Sequence, residues 1–432
     1  MAFDNEELNQ RREARRQEQK FQAGQRRLLR LGVIMTALTL VLCGGALLVT
    51  MWIVKQPAKP SLEQTATQPT ESQPTPPPTT QPVTPDTVIH FVAGGDVNIT
   101  DKTVNAGVTG SGYDYTDIFL DVVPTLAGAD LAALNFEGSL YGAPYGSAQK
   151  SAPTALVQAL RNAGVDFLQT ANSQSVVNGL SGLSATLQGI RDAGMEPLGT
   201  YADAQAFQKT GGYVIREIQG IRIAFVAFTK GMDGMGLPAG SEDCVNLLYK
   251  DYSSTYQKVD TEGITAVLKA AQAQNPDITI ALLHWGSEFN RKISQSQEQI
   301  SALMLEQGVD AIIGTHSHYV QEVKFDPQKG TLLAYSLGDF YGDASTAGTE
   351  YSLLLNLEIT KDGQTGHTAI TGVDYTPVYL LDETQTGGGL RLLRIREAMA
   401  AYEQNLVNKV SESTYLGMKN ALEKIESRME IG

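Results

Sequence analysis

Five short apolar runs, each of strand length and each ending in residues able to do chemistry, limit this chain more tightly than any other feature. Residues 88–93 end in Gly94-Gly95-Asp96-Val97-Asn98, residues 130–134 in Asn135-Phe136-Glu137-Gly138, and residues 165–170 in Ala171-Asn172-Ser173-Gln174. Further on, residues 278–283 end in His284-Trp285-Gly286-Ser287-Glu288, and residues 309–313 in Gly314-Thr315-His316-Ser317-His318. Such runs read as buried strands. Helix-like stretches at 154–163, 183–193, 263–273 and 294–307 alternate with them, which is the pattern of helices packed on sheets. Residues 211–229 read instead as two strands joined at Gln219-Gly220, and 351–360 as a further strand, so the sheets are expected to be mixed. Two terminal helices are expected over 390–406 and 413–428.

Open α/β sheets keep their chemistry in loops at the carboxyl ends of strands. The positions to watch are therefore Asp96, Glu137, the amides of Asn172 and Gln174, and the two segments that hold three of the five histidines. In an extended loop His316 and His318 share a face, because side chains two apart point the same way. With carboxylates in reach they form a plausible cradle for a divalent metal. Each residue also has a plainer reading. Gly-Asp is common strand-end punctuation, a lone glutamate at a strand end is usually solvated, and His284 beside Trp285 could be a core histidine. Glu288 either orients a ligand histidine from behind or is a surface charge. Asn98 reads as a turn residue, and His90 and His367 as structural. Gly387-Gly388-Gly389 lacks the Lys-Ser/Thr of a phosphate-binding loop, and no other nucleotide motif occurs.

The five segments, in this order and followed by Tyr335-Ser336-Leu337-Gly338-Asp339-Phe340, resemble the bacterial capsule-synthesis CapA family. That family, also called the poly-γ-glutamate biosynthesis family, belongs to the calcineurin-like metallophosphatases. The resemblance covers roughly residues 87–380. It implies an α/β fold of two packed mixed sheets flanked by helices, and a metal site formed by Asp96, Glu137, His284, His316 and His318. Manganese, iron or zinc would each suit such ligands. One segment departs from the pattern. The family usually shows Ala-Asn-Asn-His, where the second Asn is a metal ligand and the His the expected general acid. Here Ser173 is a poor replacement for an amide oxygen, and Gln174 carries no titratable proton. With Gln174 at the acid position, Glu288 and Asp339 are the other candidates for handling the proton. Asp339 stands where relatives usually have Asn, a milder change.

Ahead of this region, residues 31–54 form an uncharged, mainly apolar stretch of 24 residues, long enough to cross a bilayer as a helix. Eight Arg or Lys precede it within residues 1–30, whereas only Lys55 and Lys59 follow closely, so the basic side is expected in the cytoplasm and the bulk of the protein outside. Residues 55–86, rich in Pro, Thr and Gln, cannot bury enough surface to fold. As a semi-rigid spacer they would reach up to roughly 95 Å. The expected organisation is a cytoplasmic tail over 1–30, a transmembrane helix over 31–54, a linker over 55–86, the metallophosphatase-like domain over 87–380 and a helical extension over 381–432.

The formal charge is −14, and since the first thirty residues carry eight basic against five acidic side chains, the remainder stands at −17. An acidic surface of this kind argues against nucleic acid as a partner. The expected partners are a surface polymer or cell-wall component, the membrane through one helix, and other capsule-synthesis proteins. Of the two cysteines, Cys43 falls in the membrane stretch and Cys244 outside it, so no intrachain disulfide is expected. Three functional readings remain open. One is metal-dependent hydrolysis or transfer on a surface polymer, another is an impaired relative that uses the same cleft as a scaffold, and the third is phosphatase action on small phosphoesters, for which no sequence feature of substrate recognition is found.

Overall fold

In the computed structural model, which describes residues 84–386, 388–406 and 410–431, the apolar runs become the centre of two sheets. In chain order the strands are β1 (Thr87–Asn98), the small hairpin β2 (Val108–Thr109) and β3 (Gly112–Tyr113), β4 (Leu131–Glu137), β5 (Phe167–Gln169) and β6 (Glu196–Leu198). After them come β7 (Tyr213–Ile218), β8 (Ile221–Thr229), β9 (Ile278–His284), β10 (Ala311–Thr315), β11 (Val323–Asp326) and β12 (Thr331–Ala334). The last five are β13 (Asp339–Tyr341), β14 (Tyr351–Lys361), β15 (Thr368–Asp382), β16 (Leu390–Arg394) and β17 (Met429–Glu430).

The first sheet runs β16-β15-β14-β1-β4-β5-β6, with β13 added on β1, and the second runs β17-β11-β12-β10-β9-β8-β7. Both are mixed. β1, β4, β5 and β6 are parallel, as are β8, β9, β10 and β12, while β14 lies antiparallel to β1 and β7 antiparallel to β8. Because successive side chains on a strand face opposite ways, each central strand feeds two cores. Ile89, Phe91 and Ala93 of β1 share one interior with Ile223, Phe225 and Ala227 of β8. Phe225 meets Phe91 and Phe167 at ring-centroid distances of 5.3 and 4.7 Å, so the sheets pack face to face. The opposite faces are covered by helices: Leu156, Val157 and Leu160 of Thr154–Ala163 sit against the first sheet, and Ile264, Leu268, Ile300 and Met304 of Thr261–Gln272 and Gln295–Glu306 against the second. The order of layers is helix, sheet, sheet, helix.

The carboxyl end of the chain differs from expectation. Residues 390–394 form β16, paired antiparallel with β15, and only Ile395–Glu403 is helical. Leu and Arg are good helix formers, but burial of Leu390, Leu392 and Leu393 against the sheet decides the local structure. Nor is 381–432 a separate helical extension. β15 runs through residue 380 to Asp382, Met418, Ala421 and Ile425 of helix Glu412–Glu426 are buried in the inter-sheet core, and β17 pairs with β11. The tail at 1–30, the membrane stretch at 31–54 and nearly all of the linker lie outside the described residues. Among the described residues no helix is long and apolar enough to cross a membrane.

Two glycines allow the strand ends to converge. In β1 the register with β4 shifts between Ala93 and Asp96, across Gly94-Gly95, and a Cβ on Gly95 would overlap the Gly338 carbonyl oxygen. That close approach lets the Asp96 amide donate to Gly338 O at 3.0 Å. A Cβ on Gly314 would likewise overlap Tyr335 O and the Trp285 indole nitrogen, which itself donates to Tyr335 O at 2.9 Å. Gly95→Ala is expected to cost about 3 kcal/mol because backbone, not a flexible side chain, must move. Gly110→Ala, which meets nothing within 4 Å, should change stability by less than about 1 kcal/mol. Denaturant unfolding of both variants checks the contrast, and equal stabilities would contradict it.

Candidate metal centre

The carboxyl ends of β1 and β4 meet those of β9 and β10, and the polar residues of both sheets close into one buried cluster. Asp96 is fully buried, with its carboxylate accepting from Asn135 Nδ2 at 2.6 Å and from the His316 backbone N–H at 3.1 Å. Asn135 lies directly opposite Asp96 across the β1/β4 pair, and Glu137 opposite Asn98, so strand register alone places Glu137 one step further out on the same face as Asn135. Glu137 Oε1 lies 3.4 Å from His284 Nε2, whereas its Oε2 is buried with no hydrogen-bond partner. His284 Nδ1 stands 3.1 Å from Thr315 Oγ1 and 3.3 Å from Asn135 Nδ2. The His284 and His316 rings are 4.3 Å apart, and His316 Nδ1 is a second buried atom without a partner.

His316 and His318 have φ values of 91 and 59°, in the left-handed region that a non-glycine residue enters at a cost. The strain aims both rings inwards. His318 Nδ1 is 2.7 Å from Asp339 Oδ1, and Nε2 is 3.9 Å from Glu288 Oε1, so two carboxylates flank one imidazole. Asp339 reaches that position because β13 pairs in parallel with β1, Asp339 opposite Asp96. Ser173 Oγ is 3.1 Å from His284 Nε2. Gln174, at the edge of the cluster, donates from Nε2 to Asp233 Oδ2 at 3.1 Å.

Burying this many ionisable groups shifts them strongly. Desolvation, with the nearby Asp96 charge, pushes Glu137 up to about 8, and desolvation raises Asp96 to about 6 against the pull of His318. Burial drives His284 well below the usual histidine range and His316 down to about 3, the Lys230 charge adding to the latter. Burial would lower His318 too, but the charges of Asp339, Glu288 and Glu137 outweigh it and hold the imidazolium up to about 12. The cluster therefore offers two neutral imidazoles and a set of carboxylates that repel one another. One atom each of Glu137, His284 and His316 lie within 4.8 Å of one another, and so do atoms of Asp96, Glu137 and His318. Glu137 belongs to both groups. Mixed nitrogen and oxygen donors, two of them orphaned, fit a divalent cation.

All five residues expected as ligands are thus brought together, and Glu288 and Asp339 both face His318. His90 and His367 are exposed, away from the cluster. Sequence reasoning passed over Asn135 and Thr315 as contributors, and over a sixth strand end. After β8 the chain reads Lys230-Gly231-Met232-Asp233-Gly234, an acid beside glycine after an apolar run, as at Asp96. Lys230 Nζ donates to Gly286 O at 2.9 Å and lies 4.6 Å from the centre of the Tyr256 ring.

The family model for bacterial capsule synthesis protein PGA_cap matches residues 90–344, more than half of the chain. The chain belongs to this family. Capsule biosynthesis protein CapA of Bacillus anthracis is 26% identical over 264 residues, covering 58% of this chain and 59% of the relative. PGA biosynthesis protein CapA of Bacillus subtilis (strain 168) is 26% identical over 262 residues, covering 60% and 64%. The PGA_cap member described here therefore spans about three fifths of the length of these curated relatives. Among solved structures, a novel phosphatase from Mycoplasma pneumoniae has a TM-score of 0.42 at 14% identity, covering 70% of this chain and 97% of that one. A putative 5'-nucleotidase from Staphylococcus aureus has a TM-score of 0.43 at 12% identity, covering 79% and 58%. Those two likenesses are too distant to carry an activity over.

In this PGA_cap member a cation must displace protons to bind. Near pH 7 the Glu137 carboxyl and the His318 imidazolium are protonated without metal, so uptake of Mn²⁺ should release protons. Raising the pH favours the ligand forms, and apparent affinity should climb by about tenfold per pH unit for each proton displaced. Calorimetric titration in buffers of different ionisation enthalpy reads the number directly. A heat independent of buffer at pH 7 would contradict the ligand assignment.

Proposed function

We propose that this protein is a membrane-anchored, extracytoplasmic member of the family that hydrolyses or transfers a phosphoryl or acyl group while a surface polymer of poly-γ-glutamate type is made, attached or remodelled. The observation that carries this reading is the pair of buried ligand groups sharing Glu137, with Glu137 Oε2 and His316 Nδ1 left unpartnered. Asp96, Glu137, His284, His316 and His318 would hold a pair of manganese, iron or zinc ions. Bound there, the metal supplies a nucleophile at neutral pH and charge for a developing oxyanion. Asn135 and Thr315 orient His284, the His316 amide orients Asp96, and Asp339 fixes the ring of His318.

A second reading rests on a specific contact. The Ser173 hydroxyl covers His284 Nε2, and Gln174 brings no proton, so the same cleft could bind a wall component without turnover. The purified full chain decides between them. The expected result is stoichiometric metal with turnover of phosphoesters or γ-glutamyl polymers, and loss of metal and at least about 10²-fold of rate in His316→Ala. Metal without turnover on either class would favour the scaffold.

The anchor is supported by the uncharged stretch at 31–54 and the arginine-rich residues before it. Protease added to intact protoplasts should remove the domain after Thr87 and spare the basic tail. A protected domain would mean the opposite orientation, and a released chain lacking residues 1–54 a cleaved signal peptide.

A further inference from the structure

The loop after β8 brings an acid to the rim of the centre that neither ligand group uses. Asp233 accepts from Gln174 Nε2 at 3.1 Å, and Ser173, the residue before Gln174, has its hydroxyl 3.1 Å from His284 Nε2. Two adjacent residues thus lie between a ligand nitrogen and a carboxyl at the surface, Ser173 touching the first and Gln174 the second. The residue is exposed, and its backbone is left-handed at φ 49°, a conformation that aspartate tolerates better than most.

The other acids at the centre face elsewhere. Asp339 is tied to His318 Nδ1 at 2.7 Å and is buried, and Glu288 points at His318 Nε2 from 3.9 Å. Gln174 has only an amide, which does not titrate near neutral pH. Glu288 is exposed as well but faces His318, whereas Asp233 is both exposed and bonded to Gln174, the residue that occupies the acid position.

We infer that Asp233 is the proton donor to the leaving group, with Gln174 and Ser173 as its positioning residues, and that the substrates are phosphoesters with a basic alkoxide leaving group. This rests on the metal-dependent hydrolase or transferase reading above. A general acid matters when the departing oxygen is basic, since an alkoxide cannot leave unprotonated near neutral pH. In the step, the oxygen of an attacking water forms a bond to phosphorus. The bond from phosphorus to the alkoxide oxygen breaks with its electron pair on that oxygen, which takes the Asp233 proton. The attacking water releases a proton to solvent, from which Asp233 regains its own, so ester and water become alcohol and phosphate.

To serve, the carboxyl must keep its proton towards neutral pH. Partial burial and the charge of Glu288 raise it above the ordinary aspartate range, while Ser173, Lys230 and Gln174 pull it back without cancelling the rise. Tyr256 also faces it. Tyr252 packs on the same loop, its hydroxyl accepting from the Leu237 amide at 3.0 Å.

The test compares the metal-loaded full chain with Asp233→Asn on an alkyl and an activated aryl phosphoester. Alkyl turnover should fall by about 10²- to 10⁴-fold and aryl turnover much less, with metal content retained and Asp233→Glu restoring part of the alkyl rate. The native kcat for the alkyl ester should decline at high pH, and the variant should lose that limb. Independently of turnover, carbon-13 resonances of labelled aspartate carboxyls should include one, missing in Asp233→Asn, that titrates above the ordinary value of about 3.9. Equal losses on both esters, no loss, or an ordinary titration would each overturn the assignment. Native turnover untouched by Asp233→Asn, or turnover of a γ-glutamyl polymer and of neither ester, removes only the assignment, whereas a metal-loaded native protein that turns over neither ester nor a γ-glutamyl polymer removes the enzymatic reading and the assignment with it.

Discussion

One buried carboxylate fastens the two sheets to each other at the end where the chemistry sits. Asp96 accepts from Asn135 on its own sheet and from the His316 backbone on the other, so neither strand end can move without breaking a bond inside a dry interior. Hydrogen bonds to a charged acceptor are short and strong, and in a low-dielectric setting their loss leaves a charge without compensation. The ordering spreads from there. Asn135 Oδ1 accepts from Asn172 Nδ2 at 3.0 Å, Asn172 Nδ2 also donates to Phe136 O, and Asn172 Oδ1 accepts from the Gln174 backbone N–H at 2.9 Å. Three strand ends in the first sheet are held in register by one run of amides that starts at Asp96.

The same burial makes the metal-free centre electrostatically uncomfortable. Asp96, Glu137 and Asp339 are all buried near one another and each is raised by desolvation, with His318 as the main cation among them. A single imidazolium cannot compensate three carboxylates, and keeping protons on the remainder relieves the repulsion. Two neutral imidazoles stand opposite, one with a nitrogen that meets no donor or acceptor. A fold that spends core volume on such a set is under physical pressure to accept positive charge there, which is why the fit to a divalent cation follows from the protein's own side chains.

Much of this was legible in the sequence, for identifiable reasons. Asp96, Glu137, His284, His316 and His318 stood out because each ends an apolar run, and parallel strands deliver their ends to one side of a sheet. The hairpin at Gln219-Gly220 and the helices at 154–163 and 263–273 were readable from turn chemistry and periodicity. Other features depend on distant partners. Residues 390–394 have helix-forming composition and become a strand only because β15 offers them an edge to pair with. Glu288 could be a surface charge or a partner of a ligand, and only the approach of His318 places it. Asn135 looked like part of a strand, and its role appears once Asp96, His284 and Asn172 surround its amide.

Asp233 shows why a missing residue type at one position is weak ground for calling a site impaired. A proton donor is required at a place in space, and here that place is bordered by the ends of β5, in the first sheet, and β8, in the second. The β5 end offers Ser173 and Gln174, a hydroxyl and an amide that can position but not protonate. The β8 end offers a carboxyl within hydrogen-bonding distance of that amide. Strand ends are far apart in sequence yet adjacent in the folded sandwich, so a function lost from one can be carried by the next without any change in the scaffold. What the scaffold fixes is the meeting point, and the Asp96 bonds that hold the two sheets together are what keep it fixed.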